Sequence, residues 1–202
     1  MTSLRHNSES AASPQDAYLD AARACILDVG WRRTTLTEVA RRAGVSRMTI
    51  YRSWADMPTL LGDLMTREWT GLVSTTVGTS DAADPLTRLV DDVVATIRAL
   101  RENELFVRIV ELDPELVLPY LLSRRGRSQD LILGLLTQAL REGQDTGAVR
   151  SGDPVSMARA MALTAHGFVL SAHTMVDGEV GADALDDELR LLLTRGLEGA
   201  RR

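Results

Sequence analysis

Apolar residues recur at steps of three and four along most of the chain. Leu86, Leu89, Val90, Val93, Val94, Ile97 and Leu100 trace one such stripe, and Leu185, Leu189, Leu192 and Leu193 repeat it near the C-terminus. That spacing collects side chains on one face of an α-helix. Strict alternation over the length of a strand is sustained nowhere, so the pattern predicts an all-α chain. The predicted helices are 14–29, 36–43, 47–53, 57–77, 85–101, 104–111, 114–123, 128–144, 154–176 and 183–197. Ser13-Pro14, Asp84-Pro85, Asp113-Pro114 and Asp153-Pro154 each put a capping side chain before a proline suited to the first helical position. Asp56, with Pro58 two residues on, is a looser form of the same device. Pro119 lies inside a predicted helix and should kink or shorten it. Residues 78–84, GTSDAAD, are the candidate linker, with helix 57–77 bridging the two halves.

Composition narrows the class. With 45% apolar residues in 202, the chain can bury a core, and the 4% aromatic content suits helices better than sheets. Every apolar run is interrupted before it reaches the length of a membrane span, and the first residues show no apolar export signal. The single cysteine, Cys25, forms no internal disulfide and fits a reducing compartment. A cytoplasmic protein without membrane contact is therefore expected.

Charge is unevenly spread. The net charge is −5, yet Trp31 to Trp54 holds six arginines against one glutamate, a local +5. A basic patch on an acidic body suits a protein that holds a polyanion with one face.

That patch has a particular architecture. Leu36 to Ala43 is helical in spacing, with Thr35 placed to cap it and Glu38 placed to complete a capping box. Gly44 stands where a tight turn between helices needs a left-handed residue. Ser46 can cap a second short helix, in which Ile50 and Trp54 point inward while Arg47, Thr49, Tyr51 and Arg52 project outward. Helix, glycine turn and helix make a helix-turn-helix, whose second helix can present Arg and Thr to base edges and Tyr and Arg to phosphates.

The stretch TTLTEVARRAGVSRMTIYRSWADMPTLLGDLM resembles the DNA-binding signature of the tetracycline-repressor (TetR) family of bacterial transcription regulators. Thr34-Thr35, Val39-Ala40, Ala43-Gly44-Val45-Ser46, Thr49-Ile50-Tyr51, Trp54 and Leu60-Leu61 carry the likeness. The resemblance implies a helix-turn-helix domain over 13–56 after a flexible tail at 1–12, then a helical ligand-binding and dimerisation domain over 57–202. It places DNA contacts at Thr35, Thr37, Arg47, Met48, Thr49, Tyr51 and Arg52. Met57 stands where the family usually has a phosphate-holding lysine, which leaves the free backbone amides of that helix start as the expected anion anchor.

Elsewhere the chemistry is sparse. The three histidines are His6, His166 and His173; the last two are predicted on one helix, about 10 Å apart along its axis and too far to share a metal ion. No glycine-rich phosphate loop, metalloprotease pair or nucleophile motif is present, so neither an enzyme nor a bound cofactor is expected. Ala158, Ala162, Ala165, Val169 and Ala172 form a small-residue stripe that lets another helix approach closely; Met157, Met161, Thr164 and Phe168 form a bulkier one opposite. By spacing alone the small stripe fits core packing inside one subunit; the resemblance implies instead a homodimer interface in a four-helix bundle. Leu61, Met65, Trp69, Phe106, Ile109, Val110, Tyr120, Met161 and His166 are candidate walls of a ligand chamber with few polar groups.

The expected function is a dimeric transcriptional repressor that leaves a palindromic double-stranded DNA operator when a small apolar or amphipathic effector binds. The alternative is a helical small-molecule-binding protein that has lost specific DNA binding.

Overall fold

A computed structural model describes residues 13–199; the expected tail at 1–12, with His6, and residues 200–202 lie outside the described residues. The helices are α1 (Pro14–Val29), α2 (Leu36–Arg42), α3 (Arg47–Ser53), α4 (Met57–Thr76), α5 (Pro85–Glu102), α6 (Glu104–Leu112), α7 (Leu118–Leu122), α8 (Arg127–Asp145), α9 (Pro154–Ser171) and α10 (Ala182–Leu197). Among the described residues the only extended pairing is one antiparallel bridge between Val149 and Glu198. Among the described residues there are also three short 3-10 turns, at Trp31–Arg33, Pro114–Leu116 and Ala172–Met175.

Local chemistry explains most boundaries. Ser13 accepts from the Asp16 amide at 3.2 Å, Asp84 from Thr87 at 2.8 Å and Asp153 from Ser156 at 3.0 Å, as the Ser/Asp-Pro pairs predict. Asp113 does not cap with its side chain; it is buried, and only a 3-10 turn follows it. The predicted helix 114–123 is accordingly split into that turn and α7, with Pro119 in the first turn of α7, where no helical N–H is missed. The predicted helix 154–176 ends as an α-helix at Ser171 and tightens into the turn Ala172–Met175.

The chain forms two compact units, one up to Leu64 and one from Met65. Domains were expected to meet at 56/57, but the first two turns of α4 go with the first unit. The reason is local: the Trp54 indole donates to Asp63 at 2.8 Å, and Leu60, Leu61 and Leu64 are buried. Ile26, Val39, Ile50 and Trp54 are enclosed in this unit, and Tyr18 meets Trp54 edge-on with ring centroids 6.4 Å apart.

The second unit is organised around α5. Its stripe of Leu86, Leu89, Val90, Val94 and Ile97 packs with Leu140 of α8, Met157, Ala158 and Met161 of α9, and Leu189, Leu193 and Leu197 of α10. Gly143 lets α8 receive Val149, whose methyl group occupies the space a Cβ would need. The candidate linker 78–84 is not free: the Gly78 amide donates to Asp92 at 2.9 Å and the Ser80 hydroxyl to Asp91 at 3.0 Å, both on α5. It is a tethered loop within one unit. Asp186 of α10 is fully buried and held by two arginines of α5: Arg101 Nη2 lies 2.7 Å from both oxygens, and Arg98 Nε donates at 3.1 Å.

Candidate functional site

The turn between α2 and α3 is built as its residues require. Gly44 has φ +67°, a left-handed conformation that a side chain would strain. The Val45 amide donates back to Ala40 at 3.0 Å, and Ser46 Oγ accepts from the Thr49 amide at 3.2 Å to start α3. Ile50 and Trp54 are buried, so the rest of α3 is turned outward. Arg47, Tyr51 and Arg52 are exposed, and Met48 is 65% exposed. Thr37 is exposed on α2, and Thr35 caps α2 by accepting from Glu38 N at 3.2 Å.

Two details differ from expectation. Glu38 does not close the capping box, because its carboxylate takes a two-point bond from Arg41 at 2.6 and 2.9 Å. Thr49 is only half-exposed, and its hydroxyl lies 2.9 Å from that of Ser46, leaving the methyl as its freer surface.

The arginines of α2 and α3 divide into two groups. Arg41 is paired with Glu38, and Arg42 reaches back to Asp28 on α1. Arg47 and Arg52, also exposed, have no acidic partner among the described residues. Of the arginines on α2 and α3, those left free are the two on α3. The start of α4 is the opposite case. Met57 is half-buried, and the Asp56 carboxylate already accepts from the Thr59 amide at 2.8 Å and its hydroxyl at 2.6 Å. Those bonds hold the Asp56 carboxyl below its ordinary pKa, so it is anionic at neutral pH. The amides expected to anchor a phosphate there are shielded by a fixed negative charge.

Residues 19–64 match the family model for bacterial regulatory proteins of the tetR family. An uncharacterised HTH-type transcriptional regulator of Mycobacterium bovis is 34% identical over 171 residues, 85% of this chain and 87% of the relative. The chain belongs to the tetR family. Its family and relatives are transcriptional regulators, not enzymes. The fatty acid degradation regulator FadR of Bacillus halodurans shares the fold with a TM-score of 0.66 at 22% identity, covering 95% of this chain and all of the other. SmeT, the repressor of a Stenotrophomonas maltophilia multidrug efflux pump, superimposes with a TM-score of 0.61 at 23% identity over 94% and 92% of the two chains.

In the second unit of this tetR-family regulator the expected wall residues separate. Trp69 of α4 and Phe106 of α6 meet edge-on, with centroids 5.6 Å apart, and both are half-buried. Met65 and Val110 are also half-buried, whereas Met161 is 4% exposed and belongs to the packed core. His166 is half-buried on α9, and burial lowers its pKa, favouring the neutral ring. His173 lies beyond the end of α9, in the following 3-10 turn. No helix among the described residues is long and apolar enough to cross a membrane.

The small-residue stripe of α9 is not an outer surface. Ala158 is 0% and Ala172 6% exposed, Ala165 and Val169 pack against the core, and Ala162 is half-buried. Ala172 also lies past the helix end. Met157, Met161 and Phe168 share this inner side, because α9 is covered by α5 and α8. The outer arc is Ser156, Ala160, Leu163, Gly167 and Ser171, with Leu163 71% exposed. On α10, Leu191 and Leu192 are exposed as well.

Proposed function

We propose that this regulator is a homodimeric repressor that reads a palindromic operator with α3 and leaves it when a small apolar or amphipathic effector binds the second unit. The observation that carries the DNA reading is the pair Arg47 and Arg52, unpaired beside two arginines that are neutralised. Arg47 and Met48, with the Thr49 methyl, meet base edges. Thr35, Thr37, Tyr51 and Arg52 hold the helix on phosphates. In a gel-shift titration with the DNA upstream of its own gene, Arg47→Ala should cost about 1–3 kcal/mol and relax preference at one base position per half-site. Arg52→Ala should weaken all sequences alike and reduce the salt slope by about one. Unchanged affinity and preference in Arg47→Ala would refute the assignment. The alternative of a helical binder without specific DNA recognition draws on Met57 and Asp56 at the start of α4. Tight, sequence-selective binding in the same titration would exclude it.

A dimer is required by specificity, since one seven-residue recognition helix reads too few base pairs. We place its interface on the outer arc of α9 and the exposed leucines of α10, replacing the stripe first expected. Ser156, Ala160 and Gly167 flank Leu163 and permit close helix approach. Leu163→Arg should give a monomer of native helical content that has lost tight operator binding. A variant that still sediments as a dimer would move the interface elsewhere.

An apolar or amphipathic effector is supported by the contact of Trp69 with Phe106, with half-buried Met65 and Val110 one turn away on the same two helices. It is in keeping with SmeT having been solved in complex with triclosan, and with FadR regulating fatty acid degradation. The transmitting element is α4, which begins in the first unit and carries Met65 and Trp69 in the second. A tilt of α4 would displace α3 from successive major grooves, about 34–36 Å apart. A coupling of about 1–3 kcal/mol suffices for release.

A further inference from the structure

Arg108 stands apart from the other half-buried arginines of the second unit. Arg101 lies 2.7 Å from Asp186, Arg190 lies 3.0 Å from Asp91, and Arg67 lies 3.0 Å from Glu68. Arg108 has neither a hydrogen-bond nor an ion-pair partner among the described residues, and its Nε is enclosed with no acceptor in reach. Partners were available on its own helix. Glu104 precedes it by four residues and Glu111 follows by three, spacings at which an arginine meets a carboxylate across one helical turn. The guanidinium reaches neither. It sits instead at the border of the buried face of α6, whose centre is Leu105 and Ile109, and the residue as a whole is half-buried. The far border of that face is Phe106, which packs on Trp69. A buried guanidinium N–H is as a rule paired, and one that reaches neither nearby carboxylate is open to an acceptor from elsewhere.

We propose that Arg108 binds the anionic head group of the effector, a carboxylate on an apolar body, which sharpens the expectation of a ligand with few polar contacts to an amphipathic acid. This rests on the reading of the second unit as an effector-binding domain. Arginine suits the task because its fork donates two parallel bonds to a carboxylate, and shielding of the Nε from water strengthens the bond it makes.

The test uses three probes of equal chain length, decanoate, decanol and decylammonium, titrated calorimetrically against the full chain, Arg108→Gln and Arg108→Lys. For the unaltered chain decanoate should bind about tenfold or more tightly than decanol, with decylammonium weakest. Arg108→Gln should bring acid and alcohol within roughly threefold of each other, and Arg108→Lys should keep part of the preference. Circular dichroism melts show whether the variants fold; if Arg108→Gln does not, the lysine variant and the acid-to-alcohol ratio of the unaltered chain still decide. Equal binding of acid and alcohol, or a preference that survives in Arg108→Gln, overturns the anion assignment while leaving the effector reading in place. A chain that binds its operator but none of the three probes overturns the head-group proposal and the apolar-effector reading together.

Discussion

Asp186→Ala is expected to destabilise the second unit by about 3 kcal/mol, at the lower end of what breaking a buried ion pair costs. The carboxylate is fully buried and receives Arg101 at both oxygens, with Arg98 Nε at 3.1 Å. Removing it leaves Arg101, 16% exposed, without its counter-charge and with little water to turn to, while Arg98 keeps its bond to Asp183 at 3.0 Å. Arg98 is 46% exposed and can recover solvation, which is why the lower end applies. Because these bonds join α10 to α5, the variant should also loosen the α10 surface that carries Leu191 and Leu192. Urea unfolding followed by circular dichroism measures the first effect, and sedimentation at several concentrations measures the second. A loss below about 1 kcal/mol would mean the arginines find other partners, and the cluster would not hold α10 in place.

Trp54→Ala should have a comparable effect on the first unit, about 3–5 kcal/mol, as expected for truncating an enclosed aromatic side chain. Trp54 is 1% exposed, contacts Tyr18 edge-on and donates to Asp63 at 2.8 Å. It therefore joins the end of α3 to the first turns of α4. Trp54→Phe keeps most of the packing but loses the indole N–H bond, which should cost about 1 kcal/mol. Operator titration should show the alanine variant unable to bind at temperatures where the second unit remains folded. Two separate melting steps, with only the first shifted, are the expected calorimetric result. If Trp54→Ala bound the operator normally, the junction of α3 and α4 would not govern the recognition helix.

The helix-turn-helix was legible because each of its parts has a local cause. Gly44 must be left-handed, Ser46 and Thr35 cap the residues that follow, and Ile50 and Trp54 are four apart on one face. Such interactions span three or four residues, so they are written in the chain order itself. The pairing of the arginines was not legible in the same way. Arg42 is neutralised by Asp28, fourteen residues away, and a charge count over Trp31 to Trp54 assigns it to the DNA surface. The count was right about the region and wrong about which side chains are available.

The two long helices of the second unit show where periodicity ends as a guide. In α5 the apolar stripe has charged residues such as Arg88, Asp91, Asp92 and Arg98 outside it, so the buried face follows from spacing alone. In α9 the one charged residue at neutral pH is Arg159, and both sides are apolar or small. A helix without a polar face has no phase to read, and Ala158, Ala165 and Val169 looked like a contact surface for a second chain. Packing by α5 and α8 turned that side inward and left Leu163 outside. Likewise, the spacing of Arg108 to Glu104 and Glu111 suggests an ordinary surface ion pair, and only the packing of α6 turns its Nε away from both. Helices, caps and the recognition turn follow from nearest neighbours along the chain; which face is buried and which charge is free depend on neighbours distant in sequence, brought into contact by folding.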